Sequence, residues 1–592
     1  MSSPRFMRIR PICLTLSCLG ALLATVAGAP LRPEHAPHAM VASVHELASH
    51  VGLEIMQAGG NAVDAAVATG FALAVVHPQA GNLGGGGFLL LRNASGETRF
   101  IDFHEKAPAS ATENMFLDAQ GNVLPESNLD SSLVGYRSIG VPGSVAGLVY
   151  TEKKYGKLSL EKVIAPAIKL AREGFALSYE DTQDLKKDKY LAQFPESKRI
   201  FLRDGNYYEP GEVFKQPELA RTLERIAKNP DDFYHGALAR ELAAALHKGG
   251  GLVTAEDLAA YEVKEREPIR GSYRGYEIIS APPPSSGGVA LIEILNILEG
   301  FDLAKLGNRS ADTIHLEAEA FRRAFYDRVD FMGDPDFTKV PVAQLIDKKY
   351  AAAWRDSIDP KHASLSQELK RPAFDNLERV AEARTAAREP EDTTHYSVVD
   401  ADGNAVAVTY TLNHLFGSRV TAEGLGFLLN DEMDDFTAKQ GVPNTYGLIQ
   451  GPANVVGPGK RPLSAMTPTI VLRTIVLKKD GPKEGKLFLV LGSPGGPTII
   501  TTVANVLIGV VDFSLDIAEA VNAPRFHNQW LPDRILVEDR LSPDTMNVLG
   551  SKGHKLKVEH FWGDGECIMI DPATGERLGS SDARNNGKAV GY

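Results

Sequence analysis

The chain has 592 residues, of which 43% are hydrophobic and 23% charged, with a mean hydropathy of −0.14. The chain is longer than the ~250–300 residues that a single hydrophobic core supports, and its composition is typical of globular proteins. These two properties exclude a peptide, a disordered adaptor and a multi-span membrane protein. The 63 Lys and Arg against 75 Asp and Glu give a net charge of −12 without a long basic block, so nucleic acid is not an expected partner.

The first 29 residues have the pattern of a secretory signal peptide. Arg5, Arg8 and Arg10 precede an apolar run from Ile12 to Val26, and the small residues 27–29 follow it. A membrane anchor is the weaker interpretation because this run is shorter than the ~20 residues that span a bilayer. We expect cleavage near residues 27–29 and export, with the periplasm as the favoured compartment. No later segment predicts a membrane span.

Only one of the three cysteines, Cys567, lies beyond the signal peptide. The mature chain is therefore expected to have no internal disulfide. Its stability must come from a large core.

Helical patterns dominate the next part of the chain. Residues 44–76 predict two helices separated by Gly59-Gly60, and later helices are predicted at 158–173, 217–227, 238–247, 289–298 and 313–328. Between them, Gly84 to Gly87 lead into an apolar strand. This loop lacks the Gly-Lys-Ser/Thr of a phosphate-binding loop, so we interpret it as a place where the backbone closely approaches another group.

A charged segment, residues 371–392, is the best candidate for a linker, because apolar periodicity stops there and strands follow. In residues 394–412, apolar and polar side chains alternate on both sides of a turn at Asp402-Gly403, as in a β-hairpin. Residues 434–462 are rich in Gly and Pro, and their position inside the chain favours a lid over a disordered tail. Short strands and helices near 498–508 and 514–522 complete the chain.

Most familiar catalytic motifs are missing, and the informative residue is Thr393, where the charged segment meets the hairpin. No HExxH, CxxC, GxSxG, GxGxxG or GKS/T motif occurs, so no metal or nucleotide cofactor is expected. A hydroxyl nucleophile needs an adjacent base. A threonine at a chain terminus supplies one as its own α-amine, whose pKa is near ~7.7–8.0. This requires cleavage of the Asp392-Thr393 bond, which the Thr393 hydroxyl can itself begin.

The register of the hairpin predicts which side chains accompany Thr393. A type I turn at Ala401-Asp402 with a left-handed Gly403 pairs residues whose numbers sum to 804. Thr393 then faces Thr411, and Asn413 lies two residues further along the same face. A two-residue turn would move Thr411 to the other face. Because paired threonines are common in sheets, strand chemistry alone leaves a purely structural interpretation open.

Longer sequence motifs occur along essentially the whole mature chain. In chain order they are GNAVDAAVAT, GNLGGGGF, APPPSSGG, MGDPDF, TTHYSVVDADGNAVAVTYTLN, NDEMDDF, VPNTYGL, GKRPLSAMTPTIV, GSPGG and NAPRFHNQWLPD. Together they resemble the gamma-glutamyltranspeptidases, which are N-terminal nucleophile hydrolases. The resemblance implies an α+β fold, the four-layer αββα sandwich, shared by two self-cleaved subunits of residues 30–392 and 393–592.

The same resemblance implies a heterodimer without a cofactor or membrane anchor. It would act on small γ-glutamyl donors such as glutathione, with water, amino acids or peptides as acceptors. The implied catalytic residues are Thr393, Thr411 and the oxyanion-hole amides of Gly495 and Gly496. The implied substrate-binding positions are His104, Asn413, Glu432, Asp435, Tyr446, Ser464 and Ala465, and the processing site is Asp392 with Thr393.

Two of these positions depart from the family pattern, both on the side of the donor α-carboxylate. His104 stands where the family has an arginine, and Ala465 replaces the second of two serines. Histidine is only partly charged at neutral pH and lacks the bidentate fork of arginine. We therefore expect weaker or altered carboxylate recognition, with Lys106 as a candidate replacement and a lower KM in His104→Arg.

Two alternatives stay open. A cephalosporin acylase acting on glutaryl side chains would fit His104 and Ala465, whereas the retained Asn413, Glu432 and Asp435 argue against it. A periplasmic binding protein that has kept the fold and lost cleavage would remain a single chain on a denaturing gel.

Overall fold

The computed structural model describes residues 31–374, 377, 393–444, 447–449, 451–476 and 483–592. The predicted signal peptide, Asp392 and Tyr446 lie outside the described residues. Within the described part of the chain, no helix is both long and apolar enough to cross a membrane.

Two antiparallel seven-stranded sheets form the centre of the molecule. Their orders are β1-β20-β19-β15-β14-β11-β10 and β21-β2-β12-β13-β3-β4-β9. The strands are β1 (Glu34–Ala36), β2 (Met40–Ser43), β3 (Gly86–Arg92), β4 (Thr98–Asp102), β5 (Phe175–Ala176), β6 (Leu202–Arg203), β7 (Asn206–Tyr207), β8 (Val213–Phe214), β9 (Lys264–Arg266), β10 (Ile269–Tyr273), β11 (Tyr276–Ser280), β12 (Thr394–Val399), β13 (Ala405–Thr411), β14 (Thr469–Val476), β15 (Lys483–Leu491), β16 (Phe526–His527), β17 (Ile535–Glu538), β18 (Leu556–Glu559), β19 (Cys567–Ile570), β20 (Arg577–Ser580) and β21 (Lys588–Gly591).

Helices cover the outer faces of both sheets. They are α1 (Glu46–Gln57), α2 (Ala62–Val76), α3 (Ser144–Tyr155), α4 (Leu160–Glu173), α5 (Tyr179–Lys187), α6 (Pro195–Phe201), α7 (Pro217–Lys228), α8 (Asp232–His235), α9 (Ala237–Lys248), α10 (Ala255–Ala259), α11 (Gly287–Leu298), α12 (Leu303–Leu306), α13 (Ala311–Phe331), α14 (Val342–Leu345), α15 (Lys348–Asp356), α16 (Thr498–Phe513), α17 (Ile517–Asn522) and α18 (Pro543–Ser551). The helices predicted from periodicity are confirmed.

The alternating direction of side chains along each strand explains how the sheets and helices form layers. On β3, Leu89 and Leu91 join the core that contains α1 to α4, whereas Phe88 and Leu90 point the other way, into the core shared with the second sheet. Helices α11, α13 and α16 contribute to that second core. The four-layer αββα sandwich, an α+β fold, is confirmed.

The predicted change from helix to strand near residue 392 is only partly right. The residues before 374 are rich in helix, but they also supply β2, β3, β4 and β9 to the sheet that holds the hairpin β12-β13. They supply β1, β10 and β11 to the other sheet as well. Both sheets therefore combine strands from the two sides of the charged segment, as one interleaved fold.

Candidate active site

The hairpin β12-β13 brings two threonine hydroxyls together at its open end. Thr394 pairs with Tyr410, the register predicted from the turn, and Gly403 has the required positive φ of 87°. The Oγ1 atoms of the buried Thr393 and Thr411 lie 3.3 Å apart. The backbone N–H of Asn413 donates to Thr411 Oγ1 at 2.8 Å. Thr411 is thus oriented by its neighbour and faces the Thr393 hydroxyl.

The glycine run before β3 allows close backbone packing against this strand end. A Cβ atom on Gly85 would lie 2.0 Å from the Thr411 carbonyl oxygen, and one on Gly87 would lie 2.5 Å from that of Thr409. Gly86 pairs directly with Thr411. The interpretation of Gly84 to Gly87 as a close backbone approach is confirmed, and its partner is the strand that carries Thr411.

A second glycine turn, Gly495-Gly496, stands beside Thr393 at the start of α16. Its φ angles are 128° and 51°, and the Gly495 carbonyl accepts from the N–H and Oγ1 of Thr498 at 3.0 and 2.7 Å. The N-terminus of a helix carries partial positive charge. Backbone amides at this turn are suited to stabilise negative charge that develops near the Thr393 hydroxyl.

Asn413 follows β13 in a strained backbone conformation. Its φ is 79°, and its Nδ2 donates to the Asp431 carbonyl at 3.1 Å. Asp431 in turn accepts from the His414 N–H and contacts His414 Nδ1 at 2.7 Å. Burial opposes charge on this imidazole, but the Asp431 carboxylate raises the pKa of His414 to about 9. A buried ion pair thus supports the loop that holds Asn413.

Two carboxyl groups stand together across from Thr393. Burial and the nearby Glu105 raise the pKa of the buried Glu432 well above its usual value. Burial and the charge of Asp434 raise the pKa of the partly buried Asp435 to about 7. A ligand that brings positive charge would stabilise the ionised form of Asp435, so this pair is suited to bind an ammonium group.

These groups line a small cavity, which we call the inner cavity. The side chains of Asn413, Glu432, Asp435, Ser464 and Ala465 are brought together there with both threonines. Its described walls are Arg328, Thr393, Thr411, Asn413, Glu432, Asp435, Leu448, Ser464, Ala465, Met466, Gly496, Pro497 and Ile499. Leu448 belongs to the Gly- and Pro-rich segment predicted to be a lid.

His104 lies behind this cavity, and it is not one of the described residues that line it. Its buried ring contacts Glu105 through Nδ1 at 2.8 Å, and its Nε2 is 3.6 Å from Glu432. Lys106, the candidate replacement for arginine, does not line the inner cavity either. The half-buried Lys106 side chain is subject to the charges of Arg461, Lys264 and Asp334, and its role in carboxylate binding stays a prediction.

A second and larger cavity of about 210 Å³, the outer cavity, is also lined by Thr393. Its walls include Thr393, Gly495, His45, His77, Glu180, Asp181, Asp184, Lys187, Trp562, Asp564, Asn585 and Asn586. Asp184 and Lys187 form an ion pair at 2.9 Å, and Glu180 accepts from Asn586 at 2.7 Å. Acidic side chains thus outnumber basic ones along this opening.

Two buried clusters contain side chains of the types that bind metals. In the first, His104 and Glu105 already contact each other. In the second, His315 Nδ1 is 2.8 Å from His554 Nε2, and Glu319 pairs with Arg323 at 2.6 Å. Some of the potential ligand atoms are thus engaged by neighbouring side chains, whereas His104 Nε2, Glu105 Oε1 and Glu432 Oε2 have no hydrogen-bond partner among the described residues.

Sequence reasoning missed Arg328, His414 and Asp431. Arg328 had a signal, because it follows Ile314, Ala318, Phe321 and Phe325 by the next helical step on the same buried stripe. An arginine there must lie inside the molecule. His414 and Asp431 had no such signal, since their pairing depends on a loop that returns to the strand end.

Residues 48–592 match the sequence profile of the family described as Gamma-glutamyltranspeptidase. A glutathione hydrolase proenzyme of Escherichia coli (strain K12) is 49% identical over 99% of this chain and 99% of that protein.

Two solved structures are similar to this chain. A cephalosporin acylase from Bacillus halodurans has a TM-score of 0.80 at 28% identity, covering 96% of this chain and 98% of that one. A gamma-glutamyltranspeptidase chain from Helicobacter pylori has a TM-score of 0.55 at 48% identity, covering 57% of this chain and 96% of that one.

Proposed function

This chain belongs to the gamma-glutamyltranspeptidase family, and on this premise we propose that it is an exported, self-processing γ-glutamyl hydrolase and transferase. Glutathione and related γ-glutamyl compounds are its donors, and water, amino acids or peptides are its acceptors. The observation that carries the proposal is the 3.3 Å approach of the Thr393 and Thr411 hydroxyls beside the Gly495-Gly496 turn.

The first reaction is self-cleavage. The Thr393 oxygen attacks the carbonyl carbon of Asp392, the peptide nitrogen of Thr393 leaves, and the resulting ester is hydrolysed by water. This creates a carboxyl group at Asp392 and a free amine at Thr393, dividing the chain into subunits of residues 30–392 and 393–592. The 57% share of this chain that the Helicobacter pylori chain covers is close to the share of the larger subunit, which supports this division.

The second reaction is γ-glutamyl transfer. The free amine takes the proton of the Thr393 hydroxyl, and the oxygen attacks the γ-amide carbonyl of the donor. The amides at Gly495 and Gly496 stabilise the oxyanion, each such donor being worth about 3 kcal/mol. The leaving amine takes up the proton, and water or an amine then resolves the γ-glutamyl ester. Thr411 orients the nucleophile.

The inner cavity binds the donor head group. Asp435, with Asn413 and Glu432, contacts the α-ammonium group, since a carboxylate of raised pKa regains its charge beside a cation. Ser464, which lines the same cavity, is the proposed contact for the α-carboxylate. Altered carboxylate recognition through His104 and Ala465 stays a prediction, as does the lid role of Tyr446.

The outer cavity holds the leaving amine and then the acceptor. Thr393 and Gly495 line it, whereas Glu432 and Asp435 line the inner cavity, which supports separate places for the amine and for the donor head group. Export follows from the predicted signal peptide, and the periplasm is its proposed destination.

A cephalosporin acylase is the second candidate. It is favoured by the position of His104 outside the inner cavity and by the similarity to the Bacillus halodurans structure. A glutaryl group has no α-amine, so it would leave Asp435 without a partner. Turnover of γ-glutamyl against glutaryl anilides separates the two functions: a preference for glutaryl would favour the acylase.

The test of self-processing is a denaturing gel of the wild type and Thr393→Ala, with an assay of γ-glutamyl anilide turnover. We expect two chains in the wild type, with Thr393 at the N-terminus of the smaller one, and a single inactive chain in the variant. Thr394→Ala is the matched control, because the neighbouring hydroxyl is buried without a hydrogen-bond partner among the described residues, and it should still be cleaved. An uncut wild type would favour a binding protein.

A further inference from the structure

The inner cavity contains two carboxyl groups and a single cationic side chain. Among the described residues that line it, Arg328 is the only one with a positively charged group. His104 stands one layer further back, beside Glu432. A ligand carboxylate that enters this cavity therefore meets Arg328 and no other arginine or lysine of the described walls.

The Arg328 guanidinium is hydrogen-bonded through Nε, whereas its Nη1 can still donate a hydrogen bond. It lies in the last turn of α13 and is 2% exposed. Its Nε donates to Ser286 Oγ at 2.8 Å, and that hydroxyl donates to the Ser464 carbonyl at 2.7 Å. Its Nη1 has no hydrogen-bond partner among the described residues. A buried guanidinium N–H without a partner is unfavourable and is satisfied by an entering anion.

Building on the proposed function, we infer that Arg328 binds the α-carboxylate of the donor. Its planar fork matches a carboxylate, and its fixed Nε contact keeps the fork beside Ser464. Asp435 on the same cavity takes the α-ammonium group, so the two charges of one α-amino acid head meet opposite partners. Arg328 thus performs the role for which position 104 has only a histidine.

The electrostatics of the inner cavity agree with this inference. Burial lowers the pKa of Arg328 to about 10, although the Asp435 carboxylate counteracts the shift. Asp435 influences the Arg328 pKa through its charge, and no hydrogen bond between the two side chains contributes to that shift. An α-amino acid bound between them would compensate both charges at once.

The test uses three anilides that differ only at the head group. They are the γ-glutamyl compound, the glutaryl compound without the amine and the 4-aminobutyryl compound without the carboxylate. We expect Arg328→Gln to lower kcat/KM about 10- to 100-fold for the first two, the range for one buried charge-assisted hydrogen bond, and less than about threefold for the third. Asp435→Asn should show the mirror pattern and spare the glutaryl compound. Where an analogue turns over too slowly, its inhibition constant gives the same comparison.

A uniform loss on all three compounds would overturn the inference, because it would mean that Arg328 only supports the Ser286–Ser464 contact. Ser286→Ala is the control for that structural role and should affect the three alike. Self-cleavage reports correct folding of each variant. If Arg328→Gln is not cleaved, Arg328→Lys keeps the charge and should raise KM only for the two carboxylate compounds. A wild type inactive on γ-glutamyl anilide would instead refute the proposed function.

Discussion

The inner and outer cavities meet at Thr393 but hold their charges differently. In the inner cavity, Glu432 and Arg328 are almost fully buried, and burial raises the pKa of Asp435 to about 7. In the outer cavity, Asp184 and Lys187 pair with each other, and the Lys187 side chain is 69% exposed. Buried charges discriminate strongly between ligands, whereas exposed pairs contribute little. Under the proposed function, this difference predicts strict selection of the donor head group and broad acceptance of amines.

The largest effect should come from the Gly495-Gly496 turn, because Gly495 lines the outer cavity and Gly496 lines the inner one. Gly495→Ala places a side chain at a φ of 128°, with its Cβ 2.5 Å from Thr498 Oγ1, and displaces the proposed oxyanion hole. We expect kcat to fall about 100-fold or more for hydrolysis and transfer alike. Steady-state assays with one donor, with and without an acceptor amine, measure both reactions.

Gly550→Ala is the matched control for this exchange, since a Cβ there meets no atom within 4 Å. It should leave both rates unchanged. A loss confined to hydrolysis or to transfer would contradict the view that the two cavities share one oxyanion hole.

A smaller effect should distinguish the inner cavity by its pH dependence. Because the Asp435 pKa is raised, this carboxyl group becomes protonated below about pH 7 and loses its attraction for the donor ammonium. The ratio of kcat/KM for γ-glutamyl to glutaryl anilide should therefore fall as the pH drops through 7. The ratio cancels the titration of the Thr393 amine, which affects both compounds.

Asp434→Asn sharpens this prediction. The charge of Asp434 is one cause of the raised Asp435 pKa, so its removal should move the midpoint of the ratio to lower pH by roughly half a unit to one unit. A ratio that is independent of pH in both proteins would exclude Asp435 as the ammonium partner.

The smallest effect should come from the outer cavity. Lys187→Ala leaves the Asp184 charge uncompensated, which favours a cationic acceptor such as lysine. We expect its KM to fall about two- to threefold, and the difference to shrink in high salt because the pair is exposed. Lys186→Ala is the control, since that side chain pairs with Glu209 outside the cavity. An equal change in both variants would count against an acceptor site here.

Much of this arrangement could be predicted because it depends on local patterns. The positions of α1 and α2 follow from apolar periodicity, and the pairing of Thr394 with Tyr410 follows from the turn at Gly403. The strands β9 to β11 were missed. The hairpin β10-β11 is local, and its turn at Arg274-Gly275 was overlooked, whereas the partner of the short β9 is β4, which is distant in the chain. The His414–Asp431 pair was missed because a loop, and not local spacing, brings the two residues together.

The sequence by itself determined the alternation of helices and strands, the place of Thr393 and the threonine opposite it, since these depend on spacing along one chain. Only the tertiary structure decided which charges surround Thr393. It put His104 beside Glu432 and brought Arg328 from the end of α13 to the wall of the inner cavity, which Lys106 does not line. Burial and charge depend on neighbours that are far apart in sequence, so spacing cannot reveal them.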